Sequence, residues 1–176
     1  IDIHYNESVS DYTSVHALHY GANLIGLNVV PYESNIENTL ESLGENATSI
    51  IGEGEAAALN PVLGWVGSLS SISQESGYWI NVSTEDMMIV TGQRSDCEEI
   101  IYDLHEGANL VSYCCKQPRP LTIIPEECTA IIGEGIASTY NPSLGWIGNL
   151  EEMSPGKGYW LKCSDEIQVQ WDCSEQ

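Results

Sequence analysis

The segment GYWINVS, residues 77–83, alternates along its length: Tyr78, Ile80 and Val82 fall on one side, Trp79 and Asn81 on the other. A period of two is the mark of a strand with one covered face, and here the tyrosine side is the apolar one. The alternation returns in GYWLKCS at 158–164, where Tyr159, Leu161 and Cys163 oppose Trp160 and Lys162. Elsewhere, short stretches rich in Ile, Val, Tyr and Trp are cut by Gly, Asn-Pro and Ser-Pro-Gly, which predicts many short strands joined by tight turns. One segment breaks that rhythm. In SNIENTLESLG, residues 34–44, Ile36, Leu40 and Leu43 share a helical face, Ser34 and Glu37 have capping-box spacing, and Gly44 stands where a helix would stop.

The pattern is duplicated. HYGANLIG at 19–26 matches HEGANLVS at an offset of 86, and SIIGEGEAAALNPVLGWVGSL at 49–69 matches AIIGEGIASTYNPSLGWIGNL at an offset of 81. The five residues lost between these blocks come from the helical segment, whose counterpart PRPLTIIPEE is too proline-rich for more than a turn of helix. Upstream, IDIHY aligns with MMIVT and VHALH with IYDLH, while the stretch from Val169 to Trp171 takes the matching place at the far end. The expected fold is therefore all-β, with one short helix in the first repeat and two pseudo-equivalent sandwich-like or barrel-like repeats packed together. The expected division is 1–86 and 87–176, with a shared seam strand at about 87–91.

Charge narrows the list of partners. The chain has 26 Asp and Glu against 5 Lys and Arg, a formal charge of -21, and its cations (Arg94, Lys116, Arg119, Lys157 and Lys162) all lie beyond residue 93. Such a field repels phosphate backbones and anionic lipid, so neither nucleic acid nor a membrane surface is an expected partner. No apolar run approaches 18 residues, and no membrane insertion is expected. The chain shows no signal peptide, and its start at Ile1 reads as a processed or trimmed end.

Several residues are candidates for chemistry or binding. Trp79 and Trp160 point to the polar side of their strands, where each either packs under its own GWVG or GWIG loop or forms an aromatic platform. With Trp65 and Trp146 they are the candidates for contact with a glycan or protein partner. Glu53 and Glu134 sit in identical IIGEG segments. A carboxylate in a glycine turn can accept backbone N–H bonds, ligate calcium or act as a general base, and a hydrogen-bonded turn is the expected role. His19 and His105 each precede Gly-Ala-Asn by two residues, a placement that suits a strand end better than a catalytic dyad; His4 and His16 are the other histidines. No metalloprotease, serine-hydrolase or phosphate-loop motif occurs, so no enzyme and no cofactor is expected, with calcium as an option.

All six cysteines, Cys97, Cys114, Cys115, Cys128, Cys163 and Cys173, lie in the second half. By repeat alignment, Cys97 replaces Asp11, Cys114 replaces Asn28, Cys115 replaces Val29, Cys128 replaces Ala47 and Cys163 replaces Val82. An even count suits disulfides that offset the lost helix, but buried free thiols fit the same positions, and the pairing is open among 15 possibilities. Asn6, Asn46 and Asn81 lie in N-x-S/T triplets.

Taken together, GANL, IIGEG, LGWVGSL and SPGKGYW resemble a tandem β module of the GxNL[IV]S…GWxG…PGxGYW type, found in secreted bacterial surface proteins and in virion proteins of aquatic phages. The likeness runs through both copies, and departs from the pattern at SQESGYW, which lacks Pro-Gly. It implies an extracellular, cell-surface or virion location and a structural or interaction role, with protein subunits of a surface assembly, or glycan, as partners. A carbohydrate-binding module using exposed Trp residues is the first alternative. A hydrolase using Glu53 or Glu134 is the second.

Overall fold

In the computed structural model, which describes residues 11–94 and 96–174, the alternating segments become antiparallel ladders. The first half contributes β1 (Tyr12–Leu18), β2 (Gly21–Gly26), β3 (Val29–Pro31), a single helical turn α1 (Ile36–Thr39), β4 (Ala47–Ile51), β5 (Ala56–Asn60), β6 (Gly64–Gly67), β7 (Gly77–Val82) and β8 (Asp86–Arg94). The second contributes β9 (Tyr102–Leu104), β10 (Gly107–Ser112), β11 (Arg119–Pro120), β12 (Cys128–Ile132), β13 (Ala137–Asn141), β14 (Gly145–Gly148), β15 (Glu152–Met153), β16 (Gly158–Cys163) and β17 (Ile167–Val169). The all-β expectation, with a short helix in the first copy, holds.

Each half builds a five-stranded sheet of the same order, β2-β7-β4-β5-β6 and β10-β16-β12-β13-β14. The registers match residue for residue: Leu24 faces Trp79 as Leu110 faces Trp160, and Leu59 faces Trp65 as Tyr140 faces Trp146. In both central strands the alternation sorts as expected. Tyr78, Ile80 and Val82 are buried in one core, and Tyr159, Leu161 and Cys163 in the other. The second core is filled by Trp171, whose ring lies 5.2 Å from that of Tyr102 and 6.4 Å from that of Tyr113.

β8 pairs along one edge with β1 and along the other with β3, so the strand that opens at the 86/87 boundary is bonded on both sides to first-half strands. β17 meets β9 in the register that β8 has with β1, Ile167 opposite Leu104 as Asp86 is opposite Leu18. IDIHY, His4 and Asn6 lie outside the described residues.

The helical segment needs one correction. Its cap is Asn35 and not Ser34: the Asn35 side chain accepts from the Asn38 N–H at 2.9 Å, so no Ser34–Glu37 capping box forms. An Asx cap one residue further on satisfies the same orphan amide and lets Ser34 bond Ile72 through its backbone instead. Ile36, Leu40 and Leu43 are all buried, as the spacing predicts. The counterpart in the second half is one 3-10 turn at Leu121–Ile123.

No cysteine in the structure is free: the pairs are Cys97–Cys114, Cys115–Cys173 and Cys128–Cys163. Their positions explain the asymmetry between the halves. Cys128 and Cys163 face each other where the first half has the cross-strand pair Ala47 and Val82. Cys115 aligns with Val29 in β3 and Cys173 with Gly92 in β8, so that bridge stands where the first half has its β3–β8 ladder. Three disulfides are the mark of an oxidising environment. Among the described residues no helix is long and apolar enough to cross a membrane.

Because the two sheets share their register, Ala47→Cys with Val82→Cys is expected to close a fourth disulfide unaided. In the chain-entropy account, a loop of this length stabilises by roughly 3 to 4 kcal/mol. Thiol counting under denaturing conditions and urea unfolding with and without reductant check both halves of that expectation.

Candidate functional site

Both strongest chemical candidates, Glu53 and Glu134, leave their own half. Each sits in a tight turn between paired strands, closed by a backbone bond from Gly52 N–H to Glu55 C=O (2.9 Å), or from Gly133 N–H to Ile136 C=O (2.8 Å). The glycine after each glutamate, Gly54 or Gly135, has φ near +70° (74° and 71°), a conformation that a side chain would resist. The turn thrusts the carboxylate outward. Glu134 then bonds His19 Nε2 with one oxygen and accepts from the Leu24 N–H at 2.8 Å with the other. Glu53 does the same in reverse, bonding His105 Nε2 and accepting from Leu110 N–H at 2.6 Å. The two contacts are reciprocal across the halves.

The histidines are aimed by local geometry. In HYGAN the Asn23 amide accepts from the His19 N–H at 2.9 Å and donates to the His19 C=O at 2.9 Å; Asn109 closes HEGAN around His105 in the same way. Each ring is then held at its other nitrogen, Nδ1 lying 2.7 Å from the carbonyl of Tyr20 or Glu106. A carbonyl can only accept, so Nδ1 must donate. Nε2 faces a carboxylate and must donate as well, and only the imidazolium has both protons. Accordingly the backbone carbonyl first, and the glutamate second, raise the pKa of both histidines above 6.5.

Around these two pairs the backbones interlock. β2 and β10 are edge strands of their sheets, and the turn before β16 or β7 of one half pairs with the edge strand of the other: Ile25 bridges Lys157, and Val111 bridges Ser76. The Gly26 N–H donates to the Gly156 carbonyl at 3.2 Å, and the Ser112 N–H to that of Glu75 at 2.9 Å. Glycine makes the approach possible. A Cβ on Gly26 would lie 2.6 Å from both the Lys157 carbonyl oxygen and the Ser112 Cβ, and one on Gly77 would lie 2.8 Å from the Val111 carbonyl oxygen. Leu24 and Leu110, buried but part of neither core, pack against Gly158 and Gly77 and seal the seam. His16 is also covered here, bonding Ser14 Oγ at 2.9 Å, and burial lowers its pKa to about 4.

The other expected site residues stay apart. Trp79 and Trp160 are half-buried on the outer faces of β7 and β16, between Leu24 and Ile51 in one sheet and between Leu110 and Ile132 in the other. Trp65 and Trp146 are half-buried and pack against their own cores. Calcium at Glu53 or Glu134 would have to displace an imidazolium or a backbone amide. Among the described residues, the one grouping of three potential metal ligands is Cys97, Cys115 and Cys173, whose sulfurs are already in disulfides. Sequence reasoning placed the glutamates and histidines separately and missed that they pair. The available signal was that both segments, His-x-Gly-Ala-Asn-Leu and Ile-Ile-Gly-Glu-Gly, persist in the two copies.

No protein-family model, curated protein or solved structure matches the chain.

The two kinds of histidine pull stability in opposite directions with pH. His19 and His105, raised, stabilise fully below 6.5, and that gain is lost as pH rises through their folded pKa; His16, lowered, costs stability as pH falls from 6.5 toward 4. The difference in Tm between wild type and a His19→Gln/His105→Gln variant is therefore expected to widen on acidification from about pH 8.5 to 6.5; a constant difference would remove the ion-pair assignment. Gly26→Ala is expected to cost roughly 1 to 3 kcal/mol in urea unfolding, because the facing backbone has nowhere to move.

Proposed function

We propose that the chain is a non-enzymatic structural and interaction module of an extracellular or virion surface. Its two halves lock to one another and offer their outer sheet edges to protein subunits of a larger assembly. The observation that carries this reading is the state of the four sheet edges. The inner edges, β2 and β10, are engaged in the reciprocal contacts, whereas β6 and β14 end their sheets with no further strand beyond them among the described residues. The hairpins that carry these outer edges, NPVLGWVG and NPSLGWIG, expose Leu63 and Leu144 (74% each), with Val66 and Ile147 also exposed on the edge strands. An open edge beside a repeated apolar tip suits strand addition or tip docking by a partner, twice per chain.

The glutamates support the same reading. Both oxygens of each carboxylate already have donors, so Glu53 and Glu134 act as structural acceptors between the halves, and the hydrolase alternative would require one of them to give up its clamp. The glycan alternative has half-buried indoles on its side, but they lie on four separate strands. The disulfides and the resemblance to surface and virion modules agree with a location outside the cell.

The test is incorporation. A Leu63→Asp/Leu144→Asp variant is expected to keep its circular dichroism and its Tm to within about 2 °C, since exposed sites change stability little. It is also expected to drop out of the surface or particle fraction of the producing organism, in which the wild type sediments. Equal incorporation of the two proteins, or a wild type found wholly as free monomer in the cytosol, would overturn the proposal.

A further inference from the structure

The second half has a surface cleft of about 470 Å³, lined in part by the segment that takes the place of the first half's helix in the sequence. One wall is the aromatic pair Tyr140 and Trp146, cross-strand partners on β13 and β14 whose rings stand 5.6 Å apart at 61°. Another part of the lining is apolar, Leu121 of the proline-flanked 3-10 turn and Ile124 just after it. Its charged lining groups are Glu126 and Glu151, both carboxylates; none of the five cations lines it. At the matching positions the first half has Leu59 for Tyr140, Ser70 for Glu151 and Gly44 for Pro125, so the ring pair and the second carboxylate belong to this copy alone.

We infer that this cleft binds a small organic cation, an alkylated ammonium group with an apolar skirt. Two aromatic rings set at a steep angle line the cleft together, and the electron-rich face of an aromatic ring attracts a cation while the apolar side chains accept its methyl groups. The carboxylates complement its charge and would repel a phosphate or sulfate ester. A pyranose is the poorer fit, because rings 61° apart give no flat two-ring platform. A bare metal ion fits less well still, since neither glutamate belongs to a group of three ligand atoms among the described residues. This inference does not depend on the assembly reading above; the cleft would bind its ligand whether or not the outer edges find a partner.

The experiment is a titration followed by the indole N–H signals in 15N-correlated NMR. Choline and tetramethylammonium are the probes, 3,3-dimethyl-1-butanol is the neutral isostere, and sodium chloride matches the ionic strength. Expected is a saturable shift of the Trp146 signal with the cations, with the neutral alcohol at least about fivefold weaker. Tyr140→Leu, which installs the residue the first half carries, and Glu151→Gln should each weaken choline by about threefold or more, with the remaining signals in place. Equal binding of the neutral alcohol, a shift that sodium chloride reproduces, or no saturation up to about 100 mM would overturn the inference. So would methyl glucopyranoside moving the Trp146 signal while choline leaves it still.

Discussion

Two carboxylates cross between the halves of this molecule and make contacts that neither half can supply for itself. Glu53 and Glu134 each reach from a glycine turn across to the other half, where each meets an imidazolium and an edge-strand amide. The constraint is severe because both partners are fixed. The glycine turn aims the carboxylate, and an asparagine-closed loop aims the histidine. An edge strand normally carries unpaired backbone groups that invite association, and here that liability is put to use. Beside the charged pairs, the backbones at Gly26 and Gly77 come so close to the other half that even a methyl group would intrude.

The clamp keeps both halves in one arrangement, yet they have diverged elsewhere. The first retains α1 and β3, whose residues cover the open side of its core; the second lost that material and ties the same places with covalent bonds. Cys115–Cys173 stands in for a ladder and Cys128–Cys163 for a small apolar pair, so hydrogen bonding and packing in one half correspond to cross-links in the other. Trp171 and the tyrosines around it complete the second core from the chain's far end, where Arg119 also bonds the Ser174 carbonyl. The substitution is incomplete at the surface, and it leaves the aromatic cleft beside Trp146.

Much of the fold was legible because it depends on local pattern. The period of two in GYWINVS and GYWLKCS sorted Tyr78 and Tyr159 inward, the helical spacing found Ile36, Leu40 and Leu43, and the internal repeat foretold two sheets of one register. What escaped was relational. Nothing near Glu53 in sequence indicates that its partner lies 52 residues on, nor near His19 that its own lies 115 residues away. Local pattern says that a carboxylate in a glycine turn will find donors, and it cannot say whose. The disulfide map escaped for the same reason, since Cys114 and Cys115, adjacent in sequence and both buried, bond different partners. The cap at Asn35 was missed for a smaller one: both Ser and Asn can cap, and the neighbouring contact with Ile72 decided between them.

Each half owns one glutamate and one histidine of the reciprocal set, and gives each to the other. A chain with a single half would thus carry every group needed to grip an identical twin, in the manner of an isologous dimer. Fusing the twins replaces an encounter that depends on dilution with one whose effective concentration is of millimolar order. Joined in one chain, each copy has only to match its neighbour and not itself, so one can carry a helix where the other carries disulfides.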